Sequence, residues 1–157
     1  MEAVSIFIAA LSFLISVFTL WVTYLHSGTM KMSRPTTIFF GPDGKDIKNP
    51  KIYLRTLLFC TSQKGKVIES MHVRLYRGES VQTFNIWVYG DRNSKMVRGS
   101  GLYVGKEGAV YDHHFLLPKD GSTYEFLQGR YRLEVYASIL NRAMPLNMFT
   151  IELEVND

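Results

Sequence analysis

The sequence predicts an all-β domain, an antiparallel sandwich of seven or eight strands, behind one membrane-spanning helix. Three observations predict it. Residues 3–25 form a single uncharged apolar run. Beyond it, apolar and polar residues alternate at the period of two expected of half-buried strands. Turn chemistry recurs between the alternating runs, and none of them carries a helical period.

The run AVSIFIAALSFLISVFTLWVTYL contains no Asp, Glu, Lys, Arg, Pro or Gly. At about 1.5 Å per residue it reaches about 34 Å, enough for a bilayer core of about 30 Å. Trp21 and Tyr24 stand at its C-terminal end, where amphipathic rings favour the headgroup region. A cleaved signal peptide needs a basic n-region and a shorter apolar core. Met1-Glu2 offers no Lys or Arg, so residues 1–26 are expected to be an uncleaved anchor. Residues 27–35 then read as a linker and 36–157 as one domain.

Ser5, Ala9, Ser12, Ser16, Thr19 and Thr23 recur at alternating steps of four and three. On a helix they fall within an arc of about 80°, away from Phe7, Phe13, Phe18 and Trp21. Small residues let helix backbones approach, and their hydroxyls can bond across the contact. The seam therefore predicts self-association or pairing with another membrane protein. Hydroxyls that simply bond their own i−4 carbonyls explain the residues but not their alignment. A Ser/Thr-lined oligomeric pore is a further alternative.

Orientation follows nearby Lys and Arg. The C-terminal flank carries Lys31 and Arg34, then Lys45 and Lys48; the N-terminal flank carries Glu2. A single-pass inner-membrane protein with a cytoplasmic domain and an external N-terminus is expected. The lone Cys60 agrees, since it can form no internal disulfide. The alternative is an envelope-facing, ligand-binding domain of opposite topology. The formal charge of +4 suits an anionic leaflet. The basic residues are interleaved with acids and make no run of five, which argues against nucleic acid.

The strands are expected over residues 36–41, 51–60, 67–76, 81–89, 109–117, 129–139 and 148–155. Ile52, Leu54, Thr56, Leu58 and Cys60 share one face of the second. Val67, Met71, Val73 and Leu75 are expected inward on the third, with Ser70, His72 and Arg74 outward. On the fourth, Phe84, Ile86 and Val88 lie on one face, and Trp87 and Tyr89 on the other. Residues 90–94 read as a loop and 118–121 as a turn. The glycines of 99–105 read as a bulged hairpin, since a phosphate cradle needs a helix to follow. Tyr131, Leu133, Val135, Ala137 and Ile139 alternate with Arg130, Arg132, Glu134 and Tyr136.

The stretch Gln128-Gly129-Arg130-Tyr131-Arg132-Leu133-Glu134-Val135 resembles the penultimate strand of immunoglobulin-like domains. That resemblance implies an immunoglobulin-like sandwich in which Tyr131 forms a tyrosine corner, its hydroxyl bonded to upstream backbone. With Cys60 alone, the inter-sheet disulfide of antibody domains is impossible.

No catalytic constellation stands out, and no cofactor, metal site or catalytic residue is expected. His113 and His114 are adjacent on a strand, so they point to opposite faces and cannot share one ion. Cys60, on an apolar strand, reads as a small buried thiol. The expected function is therefore non-enzymatic: an anchored interaction or scaffold module that positions or regulates a soluble protein partner at the membrane. Trp87, Tyr89 and Tyr136 are the expected partner contacts, because aromatics concentrate at interface centres.

Overall fold

Helix α1 (Glu2–Leu20) runs into a π-helical turn, Trp21–Leu25, and no residue of either is buried. This computed structural model describes residues 2–25, 28–43, 46–90, 96–99, 101–118, 120 and 123–156. The loop expected at 90–94 and the turn at 118–121 fall mostly outside them. Glu2–Leu25 is long and apolar enough to cross a membrane.

The strands follow in chain order: β1 (Met30–Met32), β2 (Thr37–Asp43), β3 (Asp46–Cys60), β4 (Lys66–Arg77), β5 (Ser80–Phe84) and β6 (Ile86–Gly90). After them come β7 (Met96–Arg98), β8 (Leu102–Val104), β9 (Ala109–Leu116), β10 (Gly129–Ile139) and β11 (Leu146–Val155). They form two antiparallel sheets packed as a sandwich. In the first sheet, β1 and β2 share one edge of β3, which continues through β9 and β6 to β7. In the second, the order is β11, β10, β4, with β5 and β8 sharing the outer edge of β4.

The core lies between the sheets, where alternation points the apolar sets of β3 and β10 at each other. Ile52, Leu54 and Leu58 are buried from one side, Leu133, Val135 and Ala137 from the other. Phe84 and Phe115 fill the centre. Burying a side chain of this size contributes about 1.5–3 kcal/mol.

Four stretches depart from the sequence reading, the first two because alternation restarts where the backbone leaves a regular strand. Residues 81–89 are two strands rather than one. β5 pairs with β4 in the second sheet and β6 with β9 in the first, and the chain crosses the sandwich at Asn85. The crossing resets the phase, so Phe84 points inward from one sheet and Trp87 inward from the other. Trp87 is 3% exposed and packs across from Phe115. Gly99 admits it: a Cβ there would sit 2.1 Å from the indole ring. In β4, an irregular register beside Ser70 turns Ile68 inward instead of Val67.

The third departure is the expected linker. β1 lies within residues 27–35, pairs with the last residues of β3, and buries Met30 and Met32. Within the expected hairpin at 99–105, residues 102–104 form β8, which pairs with β4 instead of with a neighbour in the same stretch.

Burial sets the expected mutational costs. Trp87→Ala should destabilise the domain by about 3–5 kcal/mol. Tyr136→Ala, on an outer face, should cost about 1 kcal/mol. Urea unfolding followed by circular dichroism reads both. A Trp87 cost no larger than that of Tyr136 would contradict the inward placement.

Candidate functional site

The outer face of the second sheet carries the best candidate surface. β10 and β11 pair so that Arg130 lies opposite Glu154 and Arg132 opposite Glu152. β4 brings His72, Arg74 and Tyr76 opposite Tyr136, Glu134 and Arg132. The rings and cations interlock. Tyr136 stacks on His72 with centroids 5.2 Å apart and planes within 7°. The Arg74 guanidinium stands 5.0 Å from the Tyr136 ring, and that of Arg132 lies 4.3 Å from Tyr76. Tyr136 donates its hydroxyl hydrogen to Glu134 over 2.8 Å, and Glu134 pairs with Arg132 at 3.1 Å. Tyr76, Arg130, Arg132, Glu152 and Glu154 line a cleft of about 480 Å³ on this face. Desolvation, then the Arg74 charge, lowers the pKa of His72. The ring is thus held neutral against Tyr136.

Of the three expected partner contacts, Tyr136 alone lies on this face. Trp87 is in the core, which corrects its expected role as a surface contact. Tyr89 packs against the same core, and its hydroxyl donates to the Gly101 carbonyl over 3.0 Å. Trp87 fails as a surface contact because the chain crosses sheets at Asn85, while Tyr89 is partly buried beside it. Sequence reasoning passed over Arg74 and His72, although their placement outward on the strand was the available signal.

The outer face of the first sheet holds a second polar cluster. Tyr53 donates to Asp112 over 2.8 Å, and Arg55 lies 3.7 Å from the same carboxylate oxygen. His114 packs edge-on against Tyr53 with centroids 5.0 Å apart. Burial and the Asp112 bond push the Tyr53 phenol up, so it is a weaker acid than free tyrosine. A neighbouring groove of about 720 Å³ is lined by Ile86, Val88, Leu116, Leu117 and Pro118 with Arg98.

His113 points the other way, into the core. Its Nδ1 accepts the indole N–H of Trp87 over 3.1 Å. Its Nε2 has no hydrogen-bond partner among the described residues. Burial pulls its pKa down to about 3, with a smaller upward pull from Asp112. Cys60 is buried with Sγ donating to the Val104 carbonyl over 3.4 Å, and burial pushes the thiol up. Neither is prepared as a nucleophile or base. Among the described residues, no three His, Cys, Asp or Glu side chains are placed to hold a metal ion. Tyr131 donates to the carbonyl of Leu127, four residues upstream.

In the helix, the Ser12, Ser16 and Thr19 hydroxyls donate to Ile8, Ser12 and Ile15 carbonyls at 2.8–2.9 Å. Their protons are therefore already used within the helix. A helix pair would draw on their small size and on the oxygen lone pairs.

No family model matches the chain. No curated protein matches it significantly. Its structure is similar to a solved N-terminal domain of PorA. That match covers 80% of this chain and 95% of the other, at 8% identity and a TM-score of 0.37, a likeness that carries no argument.

The buried imidazole sets an acid dependence. Its pKa is about 3 in the folded protein against 6.5 for a free imidazole. Between those values the unfolded chain binds the proton and the folded one does not. The stability is thus fully present above pH about 6.5. It falls by about 1.4 kcal/mol per pH unit on the way toward pH 3. Urea midpoints between pH 7 and 4 measure it. His113→Gln, which can still accept from Trp87, should flatten that slope by about one proton's worth. An unchanged slope in the variant would contradict a buried neutral His113.

Proposed function

We propose that this chain is a single-pass membrane protein whose β-sandwich is a non-enzymatic interaction module on the cytoplasmic side. The observation that carries this reading is the Tyr136 platform. Its ring is fixed before any partner arrives, by His72 beneath it, Arg74 beside it and the Glu134 carboxylate at its hydroxyl. Tyr and Arg are the residue types that dominate binding energy at protein interfaces. A pre-fixed side chain loses little freedom on binding. The occupant this face fits is a soluble protein carrying both acidic and basic side chains, to meet Arg130 and Arg132 on one side and Glu152 and Glu154 on the other.

The sandwich itself is of immunoglobulin type in this reading. The order β2-β3-β9-β6 against β11-β10-β4-β5 matches the two-sheet order A-B-E-D and G-F-C-C′ of that class. Tyr131 then takes the corner of the sixth strand, and Leu133 stands where antibody domains carry their second cysteine. The helix seam of Ser5, Ala9, Ser12, Ser16, Thr19 and Thr23 brings two copies together, or pairs the chain with another membrane protein.

A photo-crosslinking residue in place of Thr150, on the Tyr136 face, should give a discrete adduct in cells. Tyr136→Ala should reduce it at least about tenfold if Tyr136 is a hot spot. An adduct indifferent to Tyr136→Ala, or one formed equally from Leu57 on the opposite sheet, would overturn the assignment. For the seam, Ser12→Leu with Ser16→Leu should abolish cross-linked oligomers in membranes. Unchanged cross-linking would remove the seam from the account.

A further inference from the structure

We infer that the end of the sandwich next to the anchor is a docking surface for the anionic leaflet from which the helix emerges. This rests on the reading of residues 1–26 as a membrane anchor. The geometry starts at β1. From Leu25 to Met30 the chain can reach at most about 18 Å. Met30 pairs with Cys60, so the end of the sandwich that holds residue 60 is tethered close to the bilayer.

Among the described residues, three turns gather at that end. The β3–β4 turn joins through the Thr61 N–H, which donates to the Thr29 carbonyl over 3.0 Å. The β8–β9 turn joins through the Gly105 carbonyl, which accepts from the Cys60 N–H over 3.2 Å. The β10–β11 turn joins through the Leu140 N–H, which donates to the Val67 carbonyl over 2.9 Å. Asn141, at φ 65°, makes that last turn tight.

The side chains on these turns are those a lipid interface selects. Lys64, Lys66, Lys106 and Arg142 supply cations, with Lys31 on β1 beside them. Glu107 is the one carboxylate among the described residues of these three turns. Large apolar groups are exposed on or beside the same turns: Met144 is 75% exposed, Leu140 48% and Tyr103, over Gly65, 66%. Such exposure in a water-facing loop is unfavourable, whereas at a headgroup boundary these groups bury. Lys64, Lys66 and Arg142 also line a concavity of about 560 Å³ with Gly28 and Asn141, suited to a lipid phosphate. At the other end, among the described residues, Lys51 pairs with Asp43 at 3.2 Å and Arg77 donates to the Gln128 carbonyl over 3.0 Å.

The occupant is thus the phospholipid surface, recognised by negative headgroups and shallow insertion of Met144, Leu140 and Tyr103. Docking holds the domain upright on the leaflet and leaves the Tyr136 face open sideways. The proposal is independent of the Tyr136 reading.

The test uses the full chain, reconstituted in phosphatidylcholine vesicles with and without phosphatidylglycerol. Cys60→Ser, which can keep the bond to the Val104 carbonyl, gives a background free of native thiol. An environment-sensitive dye is placed separately at Leu20→Cys, Met144→Cys and Val81→Cys. Nitroxide-bearing lipids should quench the dye at position 20 in both vesicles and at position 144 only with phosphatidylglycerol. They should not quench the dye at position 81, at the far end of the sandwich. Adding Lys64→Gln, Lys66→Gln and Arg142→Gln should lower the docked-to-undocked ratio at position 144 about a hundredfold. Quenching at 20 without quenching at 144 overturns the docking and leaves the anchor intact. Absence of quenching at 20 overturns the anchor reading, and the docking with it. Equal quenching at 144 in both vesicles, or after the triple substitution, overturns the electrostatic recognition.

Discussion

The rest of the structure depends on how β1 seats beside the end of β3. That strand is three residues long, yet it buries Met30 and Met32 and pairs with the last residues of β3. Its seating is possible because Gly28, at φ 52°, runs against Ser62. A Cβ on Gly28 would sit 2.6 Å from that of Ser62, and the backbone conformation itself is one L-residues rarely adopt. Thr29 and Thr61 then exchange backbone and hydroxyl bonds that fix the register. Residues 28–32 are therefore clamped onto the sandwich rather than left as a spacer. In the proposed arrangement this clamp sets which end of the domain would meet the lipid and which faces would remain for partners.

Within the domain, the same residue types serve opposite purposes according to the side of the sheet they occupy. Trp87 and His113 form a hydrogen-bonded pair in the core, where burial pulls the imidazole pKa down. Tyr136 and His72 form a stacked pair on the outside, where Arg74 and Glu134 hold them in one geometry. The first pair specifies packing; the second presents a rigid surface. Surface ion pairs such as Arg132 with Glu134 contribute little stability, about 0–1 kcal/mol. They matter here because they orient side chains.

The fold was legible wherever alternation ran unbroken. β3 and β10 show their inward sets directly, down to Thr56 and Cys60 facing the core. Alternation failed where the backbone restarted its phase. The register irregularity at Ser70 exchanged Val67 for Ile68, and the crossing at Asn85 turned Trp87 inward. Nothing in the residues 81–89 announces a change of sheet, because Asn85 is neither Gly nor Pro. β1 was hidden for a different reason: three residues are too few to show a period. Of the candidate surface, Tyr136, the charges of β10 and those of β11 could be read from the chain. The facing of β4 against β10, which gathers His72, Arg74 and Tyr76 beside them, is long-range pairing that no local pattern records.

The proposed arrangement is an uncleaved helix with the sandwich on the cytoplasmic side. The direct measurement is a pair of fusions after Asp157, one to an export-dependent phosphatase and one to a fluorescent protein that folds in the cytosol. Fluorescence without phosphatase activity, from a membrane-bound chain of full length, is the predicted result. Phosphatase activity without fluorescence would reverse the topology. A product shortened by the length of the helix would replace the anchor with a signal sequence.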